Sequence, residues 1–223
     1  MGNEYAVNRQ NQVRQLREKA SYDRATVHAV LDAGLVAAVA FIQDGAPVVV
    51  PMLYGRDGET LYLHGARKAR VIRLLEQTRQ ASLNVTLLDA LVLARSAFNS
   101  SMNYRSATVF GTPSLVLDTD TEAKLHAMRV ISEHTMPGRW AELRAPLEKE
   151  IRMTGVIALT IDAASAKVSA KPYPEDDPDD YEIPVWAGIL PVRSAYTELE
   201  DADRLVAGVE PSAAVRRLQG RTL

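Results

Sequence analysis

Three short apolar segments joined by tight turns restrict the fold of this chain more than any other feature of its sequence. Residues 35–43 and 47–54 are rich in valine and alanine, and the dipeptide Asp44-Gly45 separates them. Because this dipeptide readily adopts positive φ angles, it favours a tight β-hairpin. A second turn signal at 55–58 leads into a third strand at 60–64. Together these segments predict an antiparallel meander of three strands.

Helices and further strands are predicted on both sides of the meander. Asp23 is placed to cap the first helix, and Gly34 to end it. The predicted helices cover 24–33, 66–76, 119–134 and 139–152. The remaining strands are predicted at 80–87, as a pair within 104–117 that breaks near Gly111 and Pro113, and as a hairpin at 154–162 and 166–170. Because strands and helices do not alternate strictly, the pattern favours a mainly β fold, an antiparallel barrel with peripheral helices, over a doubly wound parallel sheet.

Composition excludes several classes of function. The chain of 223 residues has 26 basic and 28 acidic side chains, so its formal charge of -2 predicts no binding to nucleic acid or to a membrane surface. It has no cysteine, which excludes disulfides, thiolate nucleophiles and thiolate metal sites. The longest apolar run is too short to span a bilayer, and the polar N-terminus lacks an apolar signal core. We therefore expect a cytoplasmic protein.

Most of the chain is predicted to form one domain. We expect a polar N-terminal extension at 1–20, a barrel domain at 21–195 and a partly helical C-terminal segment at 196–223. The segment 175–182 has six acidic residues and a proline. Because like charges repel and proline disfavours a helix, this segment is predicted to be an exposed loop.

The most informative motif, residues 64–70, lies where the third strand meets a predicted helix. Backbone amides that lack partners at a helix N-terminus can bind an anion. Arg67 can hold a phosphate ester through two parallel hydrogen bonds, while Lys68 acts as a point charge. The spacing alone fits a phosphate site and a solvated basic surface equally well. We call residues 64–70 the basic motif, which reads His64-Gly65-Ala66-Arg67-Lys68-Ala69-Arg70.

Three other places carry candidate ligand contacts. Tyr104 and Ser106 share one face of a predicted strand, where they either line a cavity or simply mark a polar strand entry. Trp186 stands beside alanine and glycine, which leaves room for a flat ring to stack, although core packing is an equal alternative. His64 flanks the basic motif and can contact a ligand. The other three histidines are predicted to be structural. His126 and His134 lie about 12 Å apart along one helix, which is too far for one metal ion to bind both, so no metal site is predicted.

Taken together, these residues resemble the pyridoxamine 5'-phosphate oxidase-like flavoproteins, which bind FMN in an antiparallel, Greek-key-like split β-barrel. The resemblance covers about residues 22–191. In that family a valine-rich strand, a turn, a second strand and an Arg-Lys pair follow one another and hold the FMN phosphate. The corresponding segments here are Val48-Val49-Val50, 55–60, 61–63 and Arg67-Lys68. Tyr104-Arg105-Ser106 is similar to the next FMN contact, and Trp186-Ala187-Gly188 to a late Trp-x-Gly segment.

The resemblance implies a homodimer with FMN in two clefts at the subunit interface. Arg67 and Lys68 would anchor the phosphate with the amides of Gly65 and Ala66, and Arg70 would help them. The ring or ribityl chain would be lined by Val49, Val50 and Met52. Tyr104 and Ser106 would offer hydrogen bonds, and Trp186 would cover the ring from the partner chain.

Two departures from the family pattern argue against oxidation of pyridoxamine phosphate. Pro51 stands where the oxidase has a lysine that reaches its substrate, and Arg204-Leu205-Val206 replaces its late Arg-Leu-His. Pro51, Tyr54 and His64 are more similar to the nitroimidazole-resistance-related and flavin-nucleotide-binding branch. The reaction then implied is two-electron transfer from a donor such as NAD(P)H to a small planar acceptor that His64 positions or protonates. The alternatives are a non-catalytic protein that binds haem or flavin on the same fold, and a deazaflavin-dependent reductase.

Overall fold

The computed structural model describes residues 2–222. Within this range the strands are β1 Ala20–Ser21, β2 Val36–Gln43, β3 Ala46–Asp57, β4 Thr60–Ala66, β5 Ala81–Leu93, β6 Ser101–Leu115, β7 Thr154–Ser169 and β8 Gly188–Pro191. The α-helices are α1 Arg24–Ala33, α2 Arg70–Gln77, α3 Thr121–Thr135, α4 Glu148–Met153 and α5 Ala213–Arg216. Short 3-10 helices cover Arg17–Lys19, Trp140–Glu142 and Pro178–Asp180. No helix in this range is long and apolar enough to cross a membrane.

The strands form one sheet in the order β1-β7-β4-β3-β2-β5-β6, with β8 paired to β5. A further pairing of β6 with β7 makes part of the sheet a ring. The predicted mainly β architecture is therefore confirmed.

The chain divides into two compact units, each of which makes most of its contacts within itself. The first contains the segments up to Gly34, Asn84–Val109 and Ala163–Arg193, and the second contains Leu35–Leu83, Phe110–Asp162 and the chain from Ser194 onward.

The predicted meander is confirmed in the second unit. Asp44 and Gly45 have φ angles of 51° and 79°, so both central residues of the β2–β3 turn adopt the positive values that such a hairpin needs. The second turn is shorter than predicted, because β3 continues to Asp57 and the chain reverses at Gly58. Gly55 lies within the strand instead. A Cβ there would lie 2.7 Å from the Cα of Ile131, so its absence lets α3 pack directly on β3.

Three other predicted boundaries are wrong. β6 is one strand through Gly111, where the missing side chain permits close approach to β7, since a Cβ would lie 2.2 Å from the carbonyl oxygen of Thr160. β7 is likewise one long strand in place of the predicted hairpin. The helix predicted at 139–152 is reduced to Trp140–Glu142 and α4, because Pro146 lies between them.

In the first unit, α1 begins and ends as predicted. The Asp23 carboxylate accepts a hydrogen bond from the Thr26 amide at 2.8 Å. Among residues 2–20 only the 3-10 turn is helical, and Tyr5, 2% exposed, lies in the core. The acidic segment 175–182 is exposed at most positions, but the side chain of Asp176 is fully buried against Arg95, with an Nη1–Oδ2 distance of 2.7 Å. The prediction of a freely solvated loop is wrong at this residue.

Candidate functional site

The basic motif lies where β4 ends, above two glycines that face each other across the sheet. Gly65 of β4 pairs with Gly155 of β7. The fully buried Ile72 of α2 fills the space that their missing side chains leave. A Cβ at Gly155 would lie 2.7 Å from Ile72 Cγ2 and 3.1 Å from Arg67 Cα. The glycine pair therefore lets α2 and the preceding turn pack closely on the strand ends.

Helix α2 begins at Arg70, four residues later than the predicted start at Ala66, which is still part of β4. The Arg67 amide donates to the carbonyl of Met153 at 2.8 Å, and the Ala69 amide donates to the carbonyl of Ala66 at 2.8 Å. The residue that precedes the helix, Ala69, has no side-chain acceptor for the first helical amides. These amides therefore remain available to an anion.

The three cations of the motif differ in their availability. Arg67 Nε lies 3.1 Å from Asp118 Oδ2, and its Nη1 lies 3.4 Å from Glu76 Oε2. The hydrogen bond to Asp118 is the main cause that raises the pKa of Arg67. Arg70 donates to the side chain of Gln43. Lys68 is exposed and has no ion-pair or hydrogen-bond partner within residues 2–222. Lys68 is thus the most available cation, whereas an anion at Arg67 must share the guanidinium with two carboxylates.

A buried lysine that the sequence analysis missed supports this arrangement. Lys124 of α3 is fully buried, and its ammonium group donates to Asp118 Oδ1 at 2.7 Å and to the carbonyls of Ile151 and Thr154 at 3.0 and 2.7 Å. The hydrogen bond from Lys124 is the largest cause that lowers the pKa of Asp118, and Arg67 adds to it. Asp118 therefore stays ionised and holds Arg67 in place through its second oxygen.

His64 lies on the exposed face of the sheet. Leu63 and Tyr54 are paired and buried, so the next residues along their strands, His64 and Leu53, point to the opposite face. Within residues 2–222 the His64 ring has no hydrogen-bond or ion-pair partner. Desolvation by the surrounding protein lowers its pKa below the ordinary value of 6.5. At neutral pH the ring is therefore uncharged, and it is not held by another side chain.

Apolar side chains are exposed on this face of β2 and β3. The exposed fractions are 52% for Val36, 62% for Ile42, 61% for Val49 and 45% for Leu53. We call these four residues and His64 the exposed sheet face. Met52 is only 8% exposed and, with Val50, lies on the other side of β3. The structure therefore does not bring Val49, Val50 and Met52 together on one face.

The remaining predicted site residues lie in the first unit. Ser106 donates to the Lys167 carbonyl at 3.4 Å, and Tyr104 is half-buried on the same face of β6. Arg105, on the opposite face, forms a two-armed ion pair with Asp89 at 2.7 and 3.0 Å. Trp186 is 70% exposed, and its indole lies against Gly188.

The sequence model of the pyridoxamine 5'-phosphate oxidase family matches residues 23–168. The chain belongs to this family. A search of curated proteins finds no match. The predicted resemblance to pyridoxamine 5'-phosphate oxidase-like proteins is thus confirmed, and the match spans β2 to β7 together with the basic motif.

Solved structures confirm the split-barrel fold of this oxidase family member. The flavocytochrome Anf3 of Azotobacter vinelandii is 34% identical, with 96% of this chain and 98% of that chain covered and a TM-score of 0.87. An FAD- and haem-binding protein of Mycobacterium smegmatis is 37% identical, with 91% and 98% covered and a TM-score of 0.84. A candidate 5-nitroimidazole antibiotic resistance protein of Bacteroides thetaiotaomicron is 23% identical, with 67% and 86% covered and a TM-score of 0.57. The last of these supports the fold alone.

Proposed function

We propose that this protein is a flavin-dependent oxidoreductase that binds the flavin phosphate at the basic motif. The observation that carries the proposal is the start of α2, where the first helical amides lack a side-chain cap and the exposed Lys68 has no partner within residues 2–222. A phosphate ester with about -1.5 to -2 charge suits such a site. Lys68 and the amides make the first contacts, and Arg67 and Arg70 add charge from either side. The strand residues Gly65 and Ala66 bring the turn close to the phosphate.

The flavin expected from the sequence is FMN, whereas the 37% identical relative is an FAD-binding protein, which favours FAD. Both molecules carry a phosphate on the ribityl chain, so the same motif can anchor either one. The exposed sheet face offers Val49 to an apolar ring. A bound flavin supplies the redox chemistry, while the protein supplies binding, orientation and exclusion of water.

The purified protein is expected to carry an oxidised flavin, or to take one up. The visible absorption spectrum reports binding, and chromatography of the cofactor released by denaturation distinguishes FMN from FAD. Titration with a deazaflavin tests the alternative reductase. If the purified chain carries no flavin and retains neither FMN nor FAD after incubation and gel filtration, the proposed function is wrong.

Haem is the second cofactor that we propose. Two relatives with 34% and 37% identity, aligned over nearly the whole chain, are a flavocytochrome and an FAD- and haem-binding protein. This chain fits a haem group in two respects, since the His64 ring has no hydrogen-bond or ion-pair partner within residues 2–222 and apolar side chains are exposed beside it. A haem protein that uses cysteine as its ligand is excluded, because the sequence has no cysteine.

A second copy of this chain is the partner that we propose for the part of the exposed sheet face around Ile42 and Val49. Contiguous apolar side chains are rarely left in water and mark interaction surfaces. We therefore expect light scattering to give a particle mass twice the 24.5 kDa of one chain. Replacing Ile42 and Val49 by glutamate should halve that mass. A wild-type monomer at micromolar concentration would contradict this proposal.

A further inference from the structure

We infer that His64 is the protein ligand to the iron of the bound haem. This inference rests on the haem binding proposed above and assigns the residue that holds the metal. Haem iron in proteins is bound by histidine, cysteine, methionine or tyrosine side chains. The chain has no cysteine, so the candidates are its four histidines, six methionines and eight tyrosines.

The other three histidines are engaged in contacts within the fold. His28 Nε2 lies 3.0 Å from the Tyr5 hydroxyl. His126 Nε2 lies 2.9 Å from Asp57 Oδ2 on the surface of the second unit. The ring of His134 packs on that of Tyr54, with the ring centroids 4.8 Å apart. Each of these three rings is held by a neighbouring side chain, and Nε2 is already in use in His28 and His126, whereas the His64 ring has no hydrogen-bond or ion-pair partner within residues 2–222.

The surface around His64 suits a flat apolar macrocycle. Leu53 lies on the same face, next to the paired Tyr54 and Leu63, and Val36 pairs with Leu53 on β2. The next exposed positions are small, because Ala38 pairs with Pro51. Side chains of this size leave an open surface beside the imidazole, and their apolar character favours removal of the macrocycle from water.

The nearest tyrosine and methionine are less available than His64. Tyr62 lies two residues earlier on the same face, but its ring packs edge-on against that of His126. Met52 is buried on the other face of β3. Each comparison favours His64.

The test is a titration of the purified full-length protein with ferric protoporphyrin IX, followed by its Soret band and its electron paramagnetic resonance spectrum. The variants are His64→Ala and, as the matched control, His126→Ala. Changes to groups that merely support a metal ligand weaken binding about 10–100-fold, so loss of the ligand itself should weaken it by at least roughly 100-fold. Added imidazole should restore the wild-type spectrum of His64→Ala, because it replaces the missing ligand.

Flavin absorption in the same samples separates the two proposals. The expected result is that the haem spectrum changes only in His64→Ala, while the wild type and His126→Ala keep both the bound flavin and the wild-type haem spectrum. The inference is overturned if His64→Ala keeps the wild-type haem spectrum and affinity, if His126→Ala shows the same loss, or if the flavin-loaded wild type takes up no haem. Wild-type protein that takes up haem but no flavin would instead contradict the proposed flavin function.

Discussion

Replacement of Lys124 by methionine is expected to lower the free energy of unfolding by about 3 kcal/mol, the lower end of the range for breaking a buried ion pair. The ammonium group is fully buried and satisfies one carboxylate oxygen and two carbonyl oxygens. Methionine fills a similar volume but donates no hydrogen bond. The carbonyls of Ile151 and Thr154 would remain without this donor, and each unsatisfied buried group costs about 1–3 kcal/mol.

Urea denaturation followed by circular dichroism measures this loss, and Lys149→Met is the control, because Lys149 is exposed on the neighbouring helix α4. The control should change the unfolding free energy by less than about 0.5 kcal/mol. The pKa of Asp118 is lowered from 3.8 in the folded state. The stability that the ionised Asp118 contributes is therefore fully present above about pH 3.8, and it is lost as the pH falls through the pKa of Asp118 in the folded state. The gap between wild type and Lys124→Met should accordingly narrow in acid, and equal stability of the two lysine variants at pH 7 would contradict this role.

The double variant Arg67→Ala/Lys68→Ala is expected to bind FMN and FAD at least about 100-fold more weakly. A hydrogen bond to a charged group contributes about 1.5–3 kcal/mol, and 100-fold corresponds to about 2.7 kcal/mol. We expect a loss of affinity close to 100-fold, because Arg67 already shares its charge with Asp118 and Glu76. Removal of Lys68 alone should account for a large part of the loss, because within residues 2–222 no carboxylate pairs with it.

Arg73→Ala is the control for the double variant, since Arg73 is exposed on α2, outside the basic motif. It removes one positive charge, whereas the double variant removes two. Isothermal titration at two salt concentrations measures both affinities. Equal losses in the control and the double variant would mean that only the general positive field matters.

The sequence predicted those elements whose signals are local. Asp44-Gly45 carries its own conformational preference, and the Asp23 side chain caps an amide only three residues away. The register of the β2–β3 hairpin follows from such a turn together with the apolar alternation of its strands. These are the parts of the fold that needed no knowledge of distant contacts.

Glycines are ambiguous in a sequence because the same residue serves two purposes. The sequence predicts turns at Gly55 and Gly111, yet both lie within strands where another backbone comes close. The neighbours that explain them, Ile131 and Thr160, are far away in the sequence. Without the three-dimensional arrangement, local sequence cannot distinguish a glycine that bends the chain from one that makes room.

For the candidate site, the sequence predicted which residues cluster but not how they are paired. Gly65 to Arg70 are adjacent in the chain, so their proximity required no tertiary information. The contact of Arg67 with Asp118 and the burial of Lys124 depend on how α3 packs. One signal was nevertheless present, because Lys124 is in helical register with Ala127 and Ile131, which are both buried.

The affinity of the wild-type protein for FMN relative to riboflavin tests the central proposal most directly. The two molecules share the ring and the ribityl chain, so their difference isolates the phosphate. Anchoring at the basic motif predicts FMN binding at least about 100-fold tighter than riboflavin binding, and a loss of this preference in Arg67→Ala/Lys68→Ala. Equal affinity of the wild type for both molecules would contradict phosphate binding at the start of α2.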